Sequence, residues 1–334
     1  MKKFVISLTT ICLMTITGCK EVEETSILER KIQRSMISRG DNVPDFSIRK
    51  DSADFLLFYL HKNKSLAEFK EDTKLDDETV NNTITLLKSK DWLIEKNGKL
   101  YPTVFLATVE DAKKLYQYSK KLSKQIADEI EKELPNIKAE FAKTDMAKEQ
   151  SFEHWSFLIL SNVLLDNWQI FELEKNFFKR PNGEEYDRPL RHGKYYYASI
   201  MENDGKTKES FGIYGNASMS FTNEREIAVY GNNRYTDYYM NLQSSDNLIS
   251  NEDNRVLIKM AEDFLPKLLN ILEKNRTYIE DVYKKTGYSK GISFEEFFLW
   301  WYHFIYTQAT NDMNDRGMLN IPPDGNFDYQ RSFE

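Results

Sequence analysis

From residue 20 to Glu334 the chain carries no cysteine; its two, Cys12 and Cys19, both fall within the first nineteen residues. Beyond that point no disulfide can staple the fold, and no thiolate can ligate a metal or attack a substrate. Whatever the remaining residues form must be held by packing. The composition allows this, because 40% of residues are hydrophobic and 13% aromatic, enough to build a core and exclude wholesale disorder. At the usual ~100–200 residues per domain, the length suits two domains.

The chain opens Met1-Lys2-Lys3, continues uncharged from Phe4 to Ile16, and reaches Thr17-Gly18-Cys19. A basic start, a short apolar run and small exit residues read as a secretion signal. The run falls short of the roughly 20 apolar residues that span a bilayer. Ile16-Thr17-Gly18-Cys19 resembles the lipobox of bacterial lipoproteins. That resemblance implies a signal peptide over 1–18 and a lipid, palmitate among its acyl chains, on Cys19. It also implies a membrane-anchored address in the bacterial cell envelope, at the outer membrane or cell surface. Lys20-Glu21-Val22-Glu23-Glu24 is similar to the surface-export signal of Bacteroidetes lipoproteins, with Val22 as the departure. Residues 19–50 are polar and read as a tether, with a short helix over Glu24–Arg39 that places Ile27, Ile32 and Met36 on one side.

Ser52 to Leu60 reads as an N-capped apolar helix, and Ser65 to Leu75 as a second. A third opens on Asp76-Asp77-Glu78, where the helix dipole favours acids, and carries Val80, Ile84 and Leu87 on one face. Asn97-Gly98 then joins Trp92–Lys96 to Lys99–Tyr101 as a hairpin. Three small helices followed by a hairpin resemble a winged helix-turn-helix, assigned to residues 51–108. Common members of that family bind DNA through the third helix and the wing. Here the third helix leads with three acids and its exposed positions carry no arginine, which opposes phosphate binding. The formal net charge of −7 opposes it as well, so the module is read as one for protein contact and not for nucleic acid.

Residues 109–143 form one long amphipathic helix by pattern: Leu115, Tyr118, Leu122, Ile126, Ile130, Leu134, Ile137 and Phe141 recur close to the helical period. Pro135 is expected to kink or end it. A second domain of α+β type is assigned to 150–316. It comprises a buried helix over Phe152–Phe171, a four- to five-stranded antiparallel sheet over 194–242, a helical stretch over 252–286 kinked at Pro266, and a last helix from Ser293 to Met313. Ser293-Phe294-Glu295-Glu296 has the capping-box form. Residues 317–334 read as a turn-rich tail. The fold class is thus α+β: a winged-helix-like domain, a long linking helix, and a helical domain with an antiparallel sheet.

The most specific polar stretch precedes the tyrosine run. Arginine forks grip carboxylates and phosphates, and tyrosines stack on sugars and peptides. Asp187, Arg188, Arg191, His192 and Tyr196 are therefore the candidate ligand-binding residues, with Arg188 and Arg191 alternatively tied to carboxylates of their own domain. Glu153-His154 and Glu296 with His303 form a metal site only if their helices face each other; His303, among Trp300, Trp301, Tyr302, Phe304 and Tyr306, reads more simply as packing. No metal and no cofactor are assigned, since no Gly-x-Ser-x-Gly, P-loop or dinucleotide fingerprint occurs in context. The functional expectation is a lipid-anchored, non-enzymatic binding or assembly module for an envelope protein or a peptide or glycan ligand. The alternatives are an envelope hydrolase, since serine and carboxylates are plentiful, and an immunity or exclusion lipoprotein.

Overall fold

Lys194–Glu202 is a strand buried on both faces from Tyr196 to Met201, and it separates the two cores of the described residues. The computed structural model describes residues 26–38, 42–178, 188–202, 215–218, 247–323 and 325–331. It is a mixed α/β molecule in which helices predominate and the sheets are small. In chain order come β1 (Ile32–Ser38), α1 (Ala53–His61), α2 (Leu66–Thr73), α3 (Asp77–Ser89), β2 (Leu93–Lys96), β3 (Lys99–Pro102), β4 (Phe105–Ala107) and α4 (Val109–Phe141). A short turn of helix, α5 (Met146–Glu149), leads to α6 (Phe152–Phe157), which continues through a π-helical turn at Leu158–Val163, and then to α7 (Asn167–Asn176). There follow β5 (Leu190–Arg191), β6 (Lys194–Glu202), β7 (Gly215–Ser218), β8 (Leu248–Ile249), α8 (Asn251–Lys274), α9 (Arg276–Lys285), α10 (Phe294–Asp315) and β9 (Asn326–Arg331).

Local chemistry sets most of the starts. Ser65 and Glu68 form a reciprocal capping box on α2, Thr108 and Asp111 on α4, and Ser250 and Asp253 on α8. Asp76 accepts the Thr79 N–H at the head of α3. Ser52 precedes α1 but sits in left-handed backbone and makes no side-chain cap bond. Asn97 and Gly98, at φ 53° and 71°, supply the pair of positive dihedrals a two-residue hairpin turn requires between β2 and β3.

The sheet is a wall between two cores. β6 is central, pairing antiparallel with β1 and parallel with β4. Successive strand side chains point to opposite faces. Tyr197 and Met201 of β6, with Phe105 and Ala107 of β4, enter the core shared by α4, α6, α8 and α10. Tyr196, Ala198 and Ile200, with Leu106, enter the core of α1–α3 and the β2–β3 hairpin. A strand buried on both faces needs no polar alternation, which is why Tyr196-Tyr197-Ala198-Ser199-Ile200-Met201 carries no charge.

Several expectations change. The stretch expected as a short helix within the tether holds β1, and its Gln33 is buried. The pairing of Ile32–Ser38 with β6 is long-range, and a weak helical pattern does not outweigh a ladder of backbone hydrogen bonds. Pro135 does not end its helix: α4 runs through it, and α8 likewise runs through Pro266. Both prolines lie on exposed faces, where water can hydrate the carbonyl each leaves unpaired. Of the expected antiparallel sheet over 194–242, β6 is present, but its antiparallel partners are β1 and β5 from outside that range, β4 joins it in parallel, and β7 pairs in parallel with β9. Residues 203–214 and 219–246 lie outside the described residues. The tail contains a strand: β9 lies between β7 and β8, with Phe327 and Tyr329 buried in the helical core.

Candidate functional site

Arg188 and Arg191 turn inward. The Arg188 guanidinium is forked on Glu174 (Nε to Oε1 2.7 Å, Nη2 to Oε2 2.9 Å) and lies over the rings of Phe171 and Tyr197. Arg191 donates to the Tyr196 carbonyl at 2.6 Å, to the Thr103 carbonyl at 2.5 Å and to the Glu296 carboxylate. The other Glu296 oxygen accepts the Ala198 N–H at 3.2 Å. Burial pushes the Glu296 carboxyl above its ordinary range even against the pull of Arg191. Thus Arg191 binds the link between β3 and β4, β6 and α10 together rather than presenting its fork to an open cleft. The capping-box pattern at Ser293 is half realised: its hydroxyl accepts the Glu296 N–H, while the Glu296 carboxylate reaches Arg191 and Ala198.

Tyr196 is also interior. Its hydroxyl accepts the Trp92 Nε1–H at 2.8 Å, and burial pushes its pKa up. His192 is the exposed member of the group. With Gly193 it makes the tight turn between β5 and β6, at φ 47° and 79°. Its N–H donates to Asp91 Oδ2 at 2.9 Å. Histidine is among the few non-glycine residues enriched in that left-handed region, so His192-Gly193 was a readable turn signal. Asp187 and Cys19 lie outside the described residues. The candidate residues that are described form an internal latch with a turn at its tip.

The histidines paired by pattern are far from one another in setting. His154 is exposed and meets Asn247 Oδ1 at 2.6 Å. His303 is fully buried, bonded through Nδ1 to the Leu299 carbonyl and packed on Trp300 and Tyr306. Among the described residues no group of three His, Cys, Asp or Glu side chains converges on a metal position. Burial lowers the His303 pKa to about 3, against the opposing Leu299 bond. A histidine held below its unfolded value contributes stability that is complete above about pH 6.5 and is lost as pH falls toward 3. Urea denaturation from pH 7 to pH 4 should therefore show falling stability. His303→Leu should flatten that slope, and an unchanged slope in the variant would remove His303 as its source.

An open concavity lies elsewhere, where the core of α1–α3 meets the helical core. A cleft of about 130 Å³ is walled by Leu60, Tyr101, Pro102, Val104 and Leu106 on one side and by Thr286, Tyr288, Gly291 and Ile292 on the other. His61, at the end of α1, lines it and binds Asp111 Oδ2 through Nε2 at 3.0 Å. Burial alone would raise the Asp111 carboxyl, but His61 and the Thr108 hydroxyl and N–H outweigh it and hold it at about 2. The His61 ring lies 5.7 Å from that of Tyr288, which stacks on Phe105 and donates to the Leu106 carbonyl at 2.6 Å. The capping box that positions Asp111 was legible as Thr108-x-x-Asp111. Its pairing with a histidine fifty residues earlier was not.

A wider groove of about 420 Å³ runs between α4 and α8 over Leu164, Met260 and Phe264. Its rim charges are satisfied: Glu133 pairs with Lys267, Glu140 with Lys143 and Asp263 with Lys259. The cleft at His61 carries the His61–Asp111 pair beside an aromatic wall, and it is the better candidate site. No protein-family model, no curated protein and no solved structure matches the chain.

Proposed function

We propose that this chain is a lipid-anchored protein of the bacterial cell envelope that acts as a non-enzymatic binding or assembly module for an envelope protein or a peptide or glycan ligand. The observation that carries the address is Ile16-Thr17-Gly18-Cys19 directly after a basic start and an uncharged apolar run. Among the described residues no helix is long and apolar enough to cross a membrane. The arginines that a reactive polar cleft would use are engaged in holding the wall between the two cores, which favours a scaffold over a catalyst.

In this reading α1–α3 and the β2–β3 hairpin make a winged-helix-like unit for protein contact. The acidic, exposed head of α3 (Asp76, Asp77 and Glu78) supports that role over phosphate binding. An envelope hydrolase is the second reading, favoured by the His61–Asp111 pair at the edge of a cleft.

Cys19→Ala is the direct test of the anchor. The variant is expected to lose labelling by palmitate and to leave the membrane fraction; a variant that stays labelled and membrane-bound would overturn the address. Crosslinking and affinity purification of the lipidated protein should then recover a specific envelope partner. Recovery of none, together with turnover of cell-wall fragments, would favour the hydrolase.

A further inference from the structure

The helical surface is laced with lysines that stand beside carboxylates three or four residues away, as in Lys114–Glu110, Lys124–Asp128, Lys132–Glu129 and Lys259–Asp263. Among the described residues other lysines lack an ion pair with a carboxylate, as Lys121 and Lys138 over the Tyr278 and Phe152 rings, and three of this kind gather at the rim of the His61 cleft. Lys96 donates to the Lys290 carbonyl at 3.0 Å, and Lys99 donates to Asn63 Oδ1 at 2.7 Å while lying over the Tyr101 ring. Lys290 itself lines the cleft. Among the described residues none of these three ammonium groups has a carboxylate partner. His61 spends Nε2 on Asp111 and leaves Nδ1 without a protein partner among the described residues.

In a chain of net charge −7, three lysines without a carboxylate beside them gather around one concavity, against, among the described residues, a single carboxylate, Asp111, behind His61. Beneath them the walls are apolar and aromatic: Leu60, Tyr101, Pro102, Val104, Tyr288 and Ile292. An apolar cavity of about 150 Å³ takes a benzene ring, so this cleft has the capacity for one ring-sized body. We propose that the cleft binds a small organic anion, a carboxylate or phosphate carried on a flat apolar body, with the body between the Tyr101 and Tyr288 sides and the charge among Lys99, Lys290 and His61. The proposal rests on the binding-module reading but not on the membrane address. It gives that module a ligand class and places the ligand across the seam between its two units, where binding would tie them together.

The test is titration calorimetry on the full-length protein in detergent with benzoate, phenyl phosphate, benzyl alcohol and benzylamine. Benzoate or phenyl phosphate should bind saturably and at least tenfold more tightly than benzyl alcohol, with affinity falling as salt rises. Which of the two binds more tightly separates a carboxylate from a phosphate ligand. Lys99→Glu/Lys290→Glu, two exposed positions whose change should leave the thermal midpoint in place, should weaken the anion at least tenfold. His61→Gln should weaken it less. Equal binding of benzyl alcohol, undiminished binding in the double variant, or no saturable binding of either anion up to tens of millimolar would overturn the proposal. None of these results bears on palmitate labelling of Cys19, so failure of the cleft and failure of the anchor are separable.

Discussion

Arg191→Ala is expected to lower the unfolding free energy by about 3–5 kcal/mol, the cost of breaking a buried ion pair by removing one partner. The Arg191 and Glu296 side chains are 3% and 1% exposed, so neither charge can be rehydrated without opening the fold. Removing the guanidinium also withdraws the donors to the Thr103 and Tyr196 carbonyls. Glu296 would then sit in the core with only the Ala198 N–H. Its carboxyl is already pushed up by burial, and in the variant it should take a proton. A carboxyl whose folded pKa is raised loses stability as pH rises through that value, so the variant should be relatively more stable in mild acid than at neutral pH. The double variant Arg191→Met/Glu296→Met should recover most of the loss, because the desolvation cost of both charges vanishes together. Urea denaturation with a conserved m-value is the measurement. A loss below about 1 kcal/mol for Arg191→Ala would mean that the latch is not structural.

Gly291→Ala is the second large effect. A Cβ at Gly291 would lie 2.1 Å from the Pro102 carbonyl oxygen, which belongs to the backbone of β3 and cannot rotate away. The backbone at Gly291, at φ −121°, is one that any residue adopts, so the requirement is for space and not for dihedral freedom. The loop before α10 must separate from the hairpin, and a loss of at least about 1–3 kcal/mol is expected from overpacking. Gly287→Ala makes an informative contrast: open space surrounds it, but φ is +81°, so its cost is backbone strain of about 1 kcal/mol. Because Gly291 and Pro102 both line the His61 cleft, Gly291→Ala should also weaken benzoate binding, whereas Gly287→Ala should leave the Pro102 contact intact. Equal thermal midpoints for Gly291→Ala and the parent would refute the close approach.

Elements whose causes are local were legible. α2 carries its Ser65–Glu68 box, and α3 carries Asp76 with the Val80, Ile84 and Leu87 stripe. The Asn97-Gly98 hairpin and the apolar face of α4 were equally open to reading. The readings that changed have distant causes. β1 is a strand because β6 lies beside it, although the two are separated by more than 150 residues. The missing N–H of Pro135 predicts a kink or an end, and the exposed face that lets α4 continue through it belongs to the tertiary structure.

The candidate site divides in the same way. Arg188, Arg191 and Tyr196 were singled out by residue type, and they do hold specific polar bonds. Their direction was not readable, because a strand with one buried face and a strand between two cores differ only in what packs on them. The His61 cleft has no contiguous motif: its walls come from α1, β3, β4 and the loop before α10.

By itself the sequence determined the absence of thiol chemistry beyond Cys19, the local helix starts, the tight hairpin and the polarity of α4. Those follow from residue identity and from spacings of two to four residues. The tertiary structure alone decided that β6 partitions two cores, that Arg191 faces Glu296, and that His61 meets Asp111 beside three lysines without carboxylate partners. Such arrangements depend on long-range packing, in which burial converts an ordinary arginine, glutamate or histidine into a group whose partner is obligatory.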